Sequence, residues 1–341
     1  MRSRGGVALI GMLVIAGLAG CSSTGNPVQV LGSAAKQAGM ELALRGLNDQ
    51  LEQSPFVEKV TNNVSIAGDY TFDVSVEVNL SAVDEASFTL IVQSVKDVLA
   101  GSSFSGQRVS VAFKADGSPL LTSDTVALTH NQLETDIGYL FRLRVAYGHP
   151  LTLSLQQMPP GSDVYLRTYA DMGPESAAAI PWDRLRAVND LSDARTSWHF
   201  RNFDAGGSLP PLAATDFAQQ VSIDDVDPDL DRVDFLWQAG HVQIEVSPLS
   251  SPPSTQPTPI EATPEWPRRV ALVESAIRVG MPVSVLVQFS NAPTPTQVQV
   301  GVCSGASIPT PEGEEFMAAL GAAGVDFPAG SYGGGCDMTR R

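Results

Sequence analysis

Between Phe72 and Leu80 the chain alternates apolar and polar residues without a break, as Phe-Asp-Val-Ser-Val-Glu-Val-Asn-Leu. Successive side chains of a strand point to opposite faces, so this segment can bury one face and expose the other. The pattern then changes period. Over 83–99, Phe88, Ile91, Val92, Val95 and Leu99 return at helical spacing, and the run stops at Gly101. Ser81 is placed to cap this helix, with Asp84 three residues on as an imperfect capping box. Residues 108–113, Arg-Val-Ser-Val-Ala-Phe, alternate again. Half-buried strands around an amphipathic helix point to sheets covered by helices on one face.

The order recurs. A strand over 125–130 leads to a helix over 131–147 that ends at Gly148. Strands over 151–155 and 164–169 follow, joined through a turn at Pro159-Pro-Gly161. A helix over 181–191 has Pro181 in its favoured first turn, and 197–203 closes the unit. Further on, Val-Ala-Tyr-Gly-His-Pro-Leu-Thr-Leu-Ser-Leu (145–155) lines up with Ile-Arg-Val-Gly-Met-Pro-Val-Ser-Val-Leu-Val (277–287). Both read as a helix end, Gly-x-Pro, then a strand. The strands over 164–169 and 296–303 keep the same offset, a helix over 312–320 follows, and a strand over 241–247 precedes. The predicted fold is α+β, built from repeated ferredoxin-like β-α-β-β units with antiparallel sheets and helices on one face.

The first twenty residues are of another kind. Arg2 and Arg4 are their only charges, and an apolar run over 7–17 is too short to span a bilayer securely. It ends in Leu18-Ala19-Gly20-Cys21, which resembles the lipobox of bacterial lipoproteins. The resemblance implies cleavage before Cys21 and a diacylglyceryl thioether on its sulfur. A thiolate is the side-chain nucleophile suited to that bond, and two or three acyl chains anchor firmly where one is marginal. Ser22-Ser-Thr-Gly-Asn-Pro27 then reads as a flexible tether. Ser22 stands where an aspartate would retain a lipoprotein on the inner of two membranes.

Seventeen arginines against four lysines, with abundant Ala, Gly, Val and Pro, suggest a GC-rich genome and a single-membrane cell of actinobacterial type. The expected location is the extracytoplasmic face of the cell membrane, with the outer membrane as the alternative. The expected organisation is a signal peptide over 1–20, a lipidated tether and lead-in helix (31–51) over 21–53, and a first α+β region over 54–205. A second α+β region spans 212–341 and carries a Pro-rich stretch over 248–267. That stretch reads as either an interdomain linker or a loop, and the alignment of 145–155 with 277–287 favours the loop.

Without the leader the chain keeps 19 basic against 37 acidic side chains. Such an excess repels phosphate backbones and anionic headgroups, so neither a nucleic-acid footprint nor a polybasic membrane signal is expected. Cys303 and Cys336 remain as an even pair in an exported chain and are expected to form a disulfide.

The run Asp224-Asp-Val-Asp-Pro-Asp-Leu-Asp231 imitates a calcium loop through Asp225, Asp227 and Asp229. Leu230 and Leu236 stand where such a loop needs glycine and a bidentate glutamate, so a solvated acidic loop is the expectation. His130, His149, His199 and His241 lack ligand spacing, and Trp182, Trp198, Trp237 and Trp266 read as packing residues. No nucleophile elbow, P-loop or dinucleotide fingerprint occurs. No catalytic residue, metal or cofactor is therefore assigned. The expected function is a membrane-anchored, non-enzymatic binding or interaction module whose partner is a protein or another component of the cell envelope. The alternatives are a solute-binding lipoprotein of a transporter and an extracytoplasmic enzyme with a dispersed site.

Overall fold

The computed structural model describes residues 27–68, 71–124, 127–158, 165–171, 179–188, 195–200, 203–221, 231–238, 240–249, 259–289, 296–300 and 311–327. Their elements form six successive helix–strand–strand units and a closing helix. The first three units are α1 (Pro27–Leu51), β1 (Val57–Gly68), β2 (Thr71–Leu80); α2 (Glu85–Leu99), β3 (Arg108–Ala115), β4 (Ser118–Asp124); and α3 (Leu133–Tyr147), β5 (Leu151–Gln157), β6 (Tyr165–Asp171). The next three are α4 (Trp182–Val188), β7 (Thr196–Phe200), β8 (Phe203–Gly206); α5 (Leu212–Gln220), β9 (Asp231–Gln238), β10 (His241–Pro248); and α6 (Trp266–Arg278), β11 (Val283–Val287), β12 (Thr296–Val300). Helix α7 (Pro311–Ala322) follows.

All twelve strands lie in one sheet in chain order. Strands of one unit pair antiparallel, and the last strand of each unit pairs in parallel with the first of the next. The α+β class holds, but the sheet is mixed where antiparallel sheets were expected. Strands joined through a helix are direct neighbours, with no strand inserted between them as a split β-α-β unit requires. The expected break at 206–211 falls between β8 and β9, which pair across it through Phe203 with Phe235 and Ala205 with Trp237.

Register explains why one face is covered. Val74 lies beside Val109, Leu121 beside Leu153, Tyr169 beside Trp198, and Ile244 beside Val285, always on the same side. These residues are buried in a single core cluster with the apolar stripes of the helices. Each large side chain so buried contributes about 1.5–3 kcal/mol. Aromatic rings join the middle units: Tyr139 to Tyr169 at 5.6 Å, Tyr169 to Trp198 at 4.8 Å, and Trp182 to Phe203 at 4.8 Å.

With the direction of β2 taken as upward, the pairings make β3, β6, β7, β10 and β11 run up and the other strands down. Helices α1, α3, α5 and α7 therefore ascend, while α2, α4 and α6 descend. Consecutive crossovers start from strands of opposite direction yet put their helices on one face, so they alternate in hand. Only every second one has the right-handed sense that parallel crossovers favour.

Local chemistry sets the ends of the elements. Asp84, not Ser81, caps α2: its carboxylate accepts the Ser87 N–H at 2.7 Å, and the helix starts at Glu85. In place of the strand expected over 125–130, the described part, from residue 127 on, forms a single 3₁₀ turn, Ala127–Thr129. The missing strand lies earlier, as β4, because Asp116 (φ 51°) and Gly117 (φ 76°) form a tight hairpin after β3. Positive φ at both central residues is the backbone that a two-residue hairpin favours. The 145–155 and 277–287 segments share their geometry, with Gly148 at φ 78° and Gly280 at φ 69° ending α3 and α6 before β5 and β11.

Candidate functional site

The face opposite the helices is exposed or half-buried from β1 to β9, whereas Ser284 and Gln299 on the same side of β11 and β12 are buried. Adjacent strands lie about 4.8 Å apart, so the nine open strands span roughly 40 Å. One row across its middle runs through Thr122, Ser154, Thr168 and Ser197, which are neighbours in register. Their side chains are half-buried, and the hydroxyls of Thr168 and Ser197 are 3.1 Å apart. Thr152 donates to the Pro119 carbonyl at 2.8 Å. Leu166 and Ala170, on either side of Thr168 along β6, are apolar members of the same face.

Charge gathers toward the β1 side of this face. Lys114 Nζ donates to Glu77 Oε2 at 2.6 Å across β2 and β3, and that bond is the main cause that holds the Glu77 carboxyl below its ordinary range. A shallow depression of about 240 Å³ lies beside it, lined by Asn63, Ser65, Asp73, Ser75, Arg108 and Ser110. Two further depressions, of about 200 and 230 Å³, sit between α1 and α2 and between α4 and α5. These are smaller than ordinary small-molecule pockets. Their linings suit hydrogen bonding to a surface laid across them.

The four histidines lie on different segments: His130 before α3, His149 after it, His199 in β7 and His241 in β10. His199 Nδ1 lies 2.8 Å from Asp204 Oδ1 on the open face, with both side chains half exposed. A carboxylate that orients an imidazole is one half of a catalytic arrangement. The neighbouring hydroxyl of Ser197 is instead engaged with Thr168. His149 is exposed, with its ring edge-on to Tyr147. His241 is buried, neither ring nitrogen has a hydrogen-bond partner among the described residues, and burial pulls its pKa below the ordinary value.

His130 belongs to a buried cluster that spacing along the chain does not reveal. Its Nδ1 accepts the Gln132 backbone N–H at 3.0 Å, just before α3. Its Nε2 lies 3.1 Å from Asp136 Oδ2, off the alignment of a hydrogen bond. Arg167 on β6 donates from Nε to Asp136 Oδ1 at 2.8 Å and from Nη2 to Gln132 Oε1. With Nδ1 already accepting a backbone proton and the ring buried, this histidine is not placed as a general base. The Tyr169 hydroxyl is pushed up, first by burial and then by the Asp136 charge.

Asp231, read from sequence as the end of an acidic loop, lies in strand β9, as do Asp234 and Leu236. Asp231 is buried and accepts from Arg269 Nη2 at 2.6 Å, with Arg268 Nε 3.3 Å from its other oxygen. It is therefore committed to two arginines of α6. The remainder of the run, 224–230, lies outside the described residues, as does most of 248–259. Among the described residues no group of three or more metal-ligating side chains gathers.

The tryptophans pack as expected. Trp198 is buried and its indole N–H donates to the Gly207 carbonyl at 3.0 Å, while Trp182 and Trp237 are buried and Trp266 packs on Phe316. Cys21, Cys303 and Cys336 lie outside the described residues. No described helix is long and apolar enough to cross a membrane. No protein family, curated protein or solved structure matches the chain.

Proposed function

We propose that the protein is a lipid-anchored extracytoplasmic lipoprotein that binds an envelope protein partner through its open sheet face, without catalysis. The observation that carries this reading is the one-sided sheet. One face is closed by helices, and from β1 to β9 the other offers a broad, shallow array of hydroxyl, amide and charged groups. Shallow polar surfaces of this kind suit contact with a macromolecule better than enclosure of a small solute. The anchor rests on Leu18-Ala19-Gly20-Cys21, and the Cys303–Cys336 disulfide belongs to the same exported reading.

A solute-binding lipoprotein would present two lobes with a cleft between them. Continuous pairing from β8 to β9 favours the binding module instead. The matched Gly-x-Pro segments at 148–150 and 280–282 support a chain grown by repetition of one small α/β unit.

The test is site-directed photocrosslinking in intact cells, with the crosslinker at Ser154 on the open face or at Glu134 on α3. A discrete protein adduct from Ser154 and none from Glu134 is expected. No adduct from Ser154, or the same adducts from both positions, would contradict the proposed face.

A further inference from the structure

Helix α1 links the proposed anchor to the sheet, and its direction is fixed by the fold. It ascends toward the upper start of β1, so its first residue, Pro27, belongs to the lower end, where β1 ends and β2 and β3 begin. The C-terminal half is seated in the core by Met40, Leu44, Leu47 and Leu51. Further down, Lys36 Nζ donates to the Ser105 carbonyl, just before β3. Five residues separate Cys21 from Pro27, and that reach is at most about 20 Å even when fully extended.

Charge is distributed in the same sense. The lower end mixes basic Lys36, Lys96, Arg108 and Arg278 with acidic Asp73, Asp97, Glu134, Glu314 and Glu315. The upper end carries Glu52, Asp84, Asp116, Asp183 and Glu261, with Arg144 and Arg184 beside them. Arg268 and Arg269 at that end are already paired with Asp231. Anionic headgroups repel such a surface and tolerate a balanced one.

From α1 and this charge distribution we infer that the anchored protein stands with the lower end of its sheet against the lipid surface, strands along the membrane normal and α1 as the rigid arm that sets this pose. The inference rests on the lipoprotein reading. It presents the open face sideways and the acidic end outward, so a partner reaches both without competing with the bilayer.

The experiment uses the full acylated chain in phosphatidylcholine vesicles that carry a nickel-chelating lipid as surface quencher. A fluorescent amino acid is placed at Glu134 on the lower end or at Asp183 on the upper end. Quenching at Glu134 is expected to be roughly fivefold stronger, because the strands between the two levels rise about 20 Å. Equal or reversed quenching of acylated protein would overturn the pose and leave the anchor standing. Protein that carries no acyl group and stays off the vesicles would remove both. Ala35→Pro breaks α1 below Met40 without touching the core, and it should level the two signals. If the fivefold difference survives that break, α1 is not the arm.

Discussion

Arg167 Nε donates to Asp136 Oδ1 at 2.8 Å, joining β6 to the first turn of α3 with both side chains almost fully buried. A charge pair in a core holds only while both partners are present, since either one alone leaves an uncompensated buried charge. Gln132 Oε1 accepts from the same guanidinium and His130 Nε2 lies beside the same carboxylate, so the pair also fixes how the 3₁₀ turn enters the helix.

Asp136→Asn or Arg167→Met is therefore expected to destabilise the fold by about 3–5 kcal/mol. Replacing both with apolar residues should cost less than either single change. Urea denaturation of the three variants checks this. A double variant as unstable as the sum of the singles would show that the pair is not coupled.

The helix ends at Gly148 and Gly280 give a second expectation. Both adopt positive φ with no neighbour close to an added Cβ, so the cost of a side chain is backbone strain alone. Gly148→Ala should lower stability by about 1 kcal/mol, and Gly148→Asn by less, since asparagine tolerates this region. Thermal denaturation of both variants decides it. An alanine variant as stable as wild type would contradict the described turn.

His241 sets the pH dependence of β10. Burial lowers its folded pKa below the ordinary 6.5, so protons bind the unfolded chain more readily than the folded one. Its contribution is then lost as pH falls below 6.5 toward the folded value. His241→Phe should reduce the drop in urea midpoint between pH 8 and pH 5, an interval that brackets the ordinary histidine pKa of about 6.5. An unchanged drop would place the acid sensitivity elsewhere.

Most of the element order was legible in the sequence, because strict alternation at 72–80 and helical spacing at 85–99 leave little choice of period. Four strands and helix α5 were not. The alternate positions of β1 are largely polar or exposed, β4 hides behind an Asp-Gly hairpin, β8 pairs back on β7 where one strand over 197–203 was expected, and β9 begins inside an acidic run that imitates a metal loop. Strand adjacency was out of reach for a different reason. Order along the chain does not say whether two strands joined by a helix touch or admit a third between them. The open face was visible as the polar half of each alternation. The Asp136–Arg167 pair was invisible, because its members are 31 residues apart and each alone resembles a surface charge.

Cys303 and Cys336 are expected to be bridged in protein recovered from the cell envelope. Non-reducing peptide mapping should show them in one linked fragment. On the chain-entropy account, reduction should lower stability by roughly 3–4 kcal/mol. Recovery of two free thiols would remove the bridge.

The account turns most directly on Cys21, and mass spectrometry of the mature N-terminus from purified membranes measures it. The predicted result is a chain that begins at Cys21 with a diacylglyceryl thioether, and a Cys21→Ala variant that keeps residues 1–20 and takes up no fatty acid. A membrane form that retains Met1, or that begins at another residue without lipid, would contradict it.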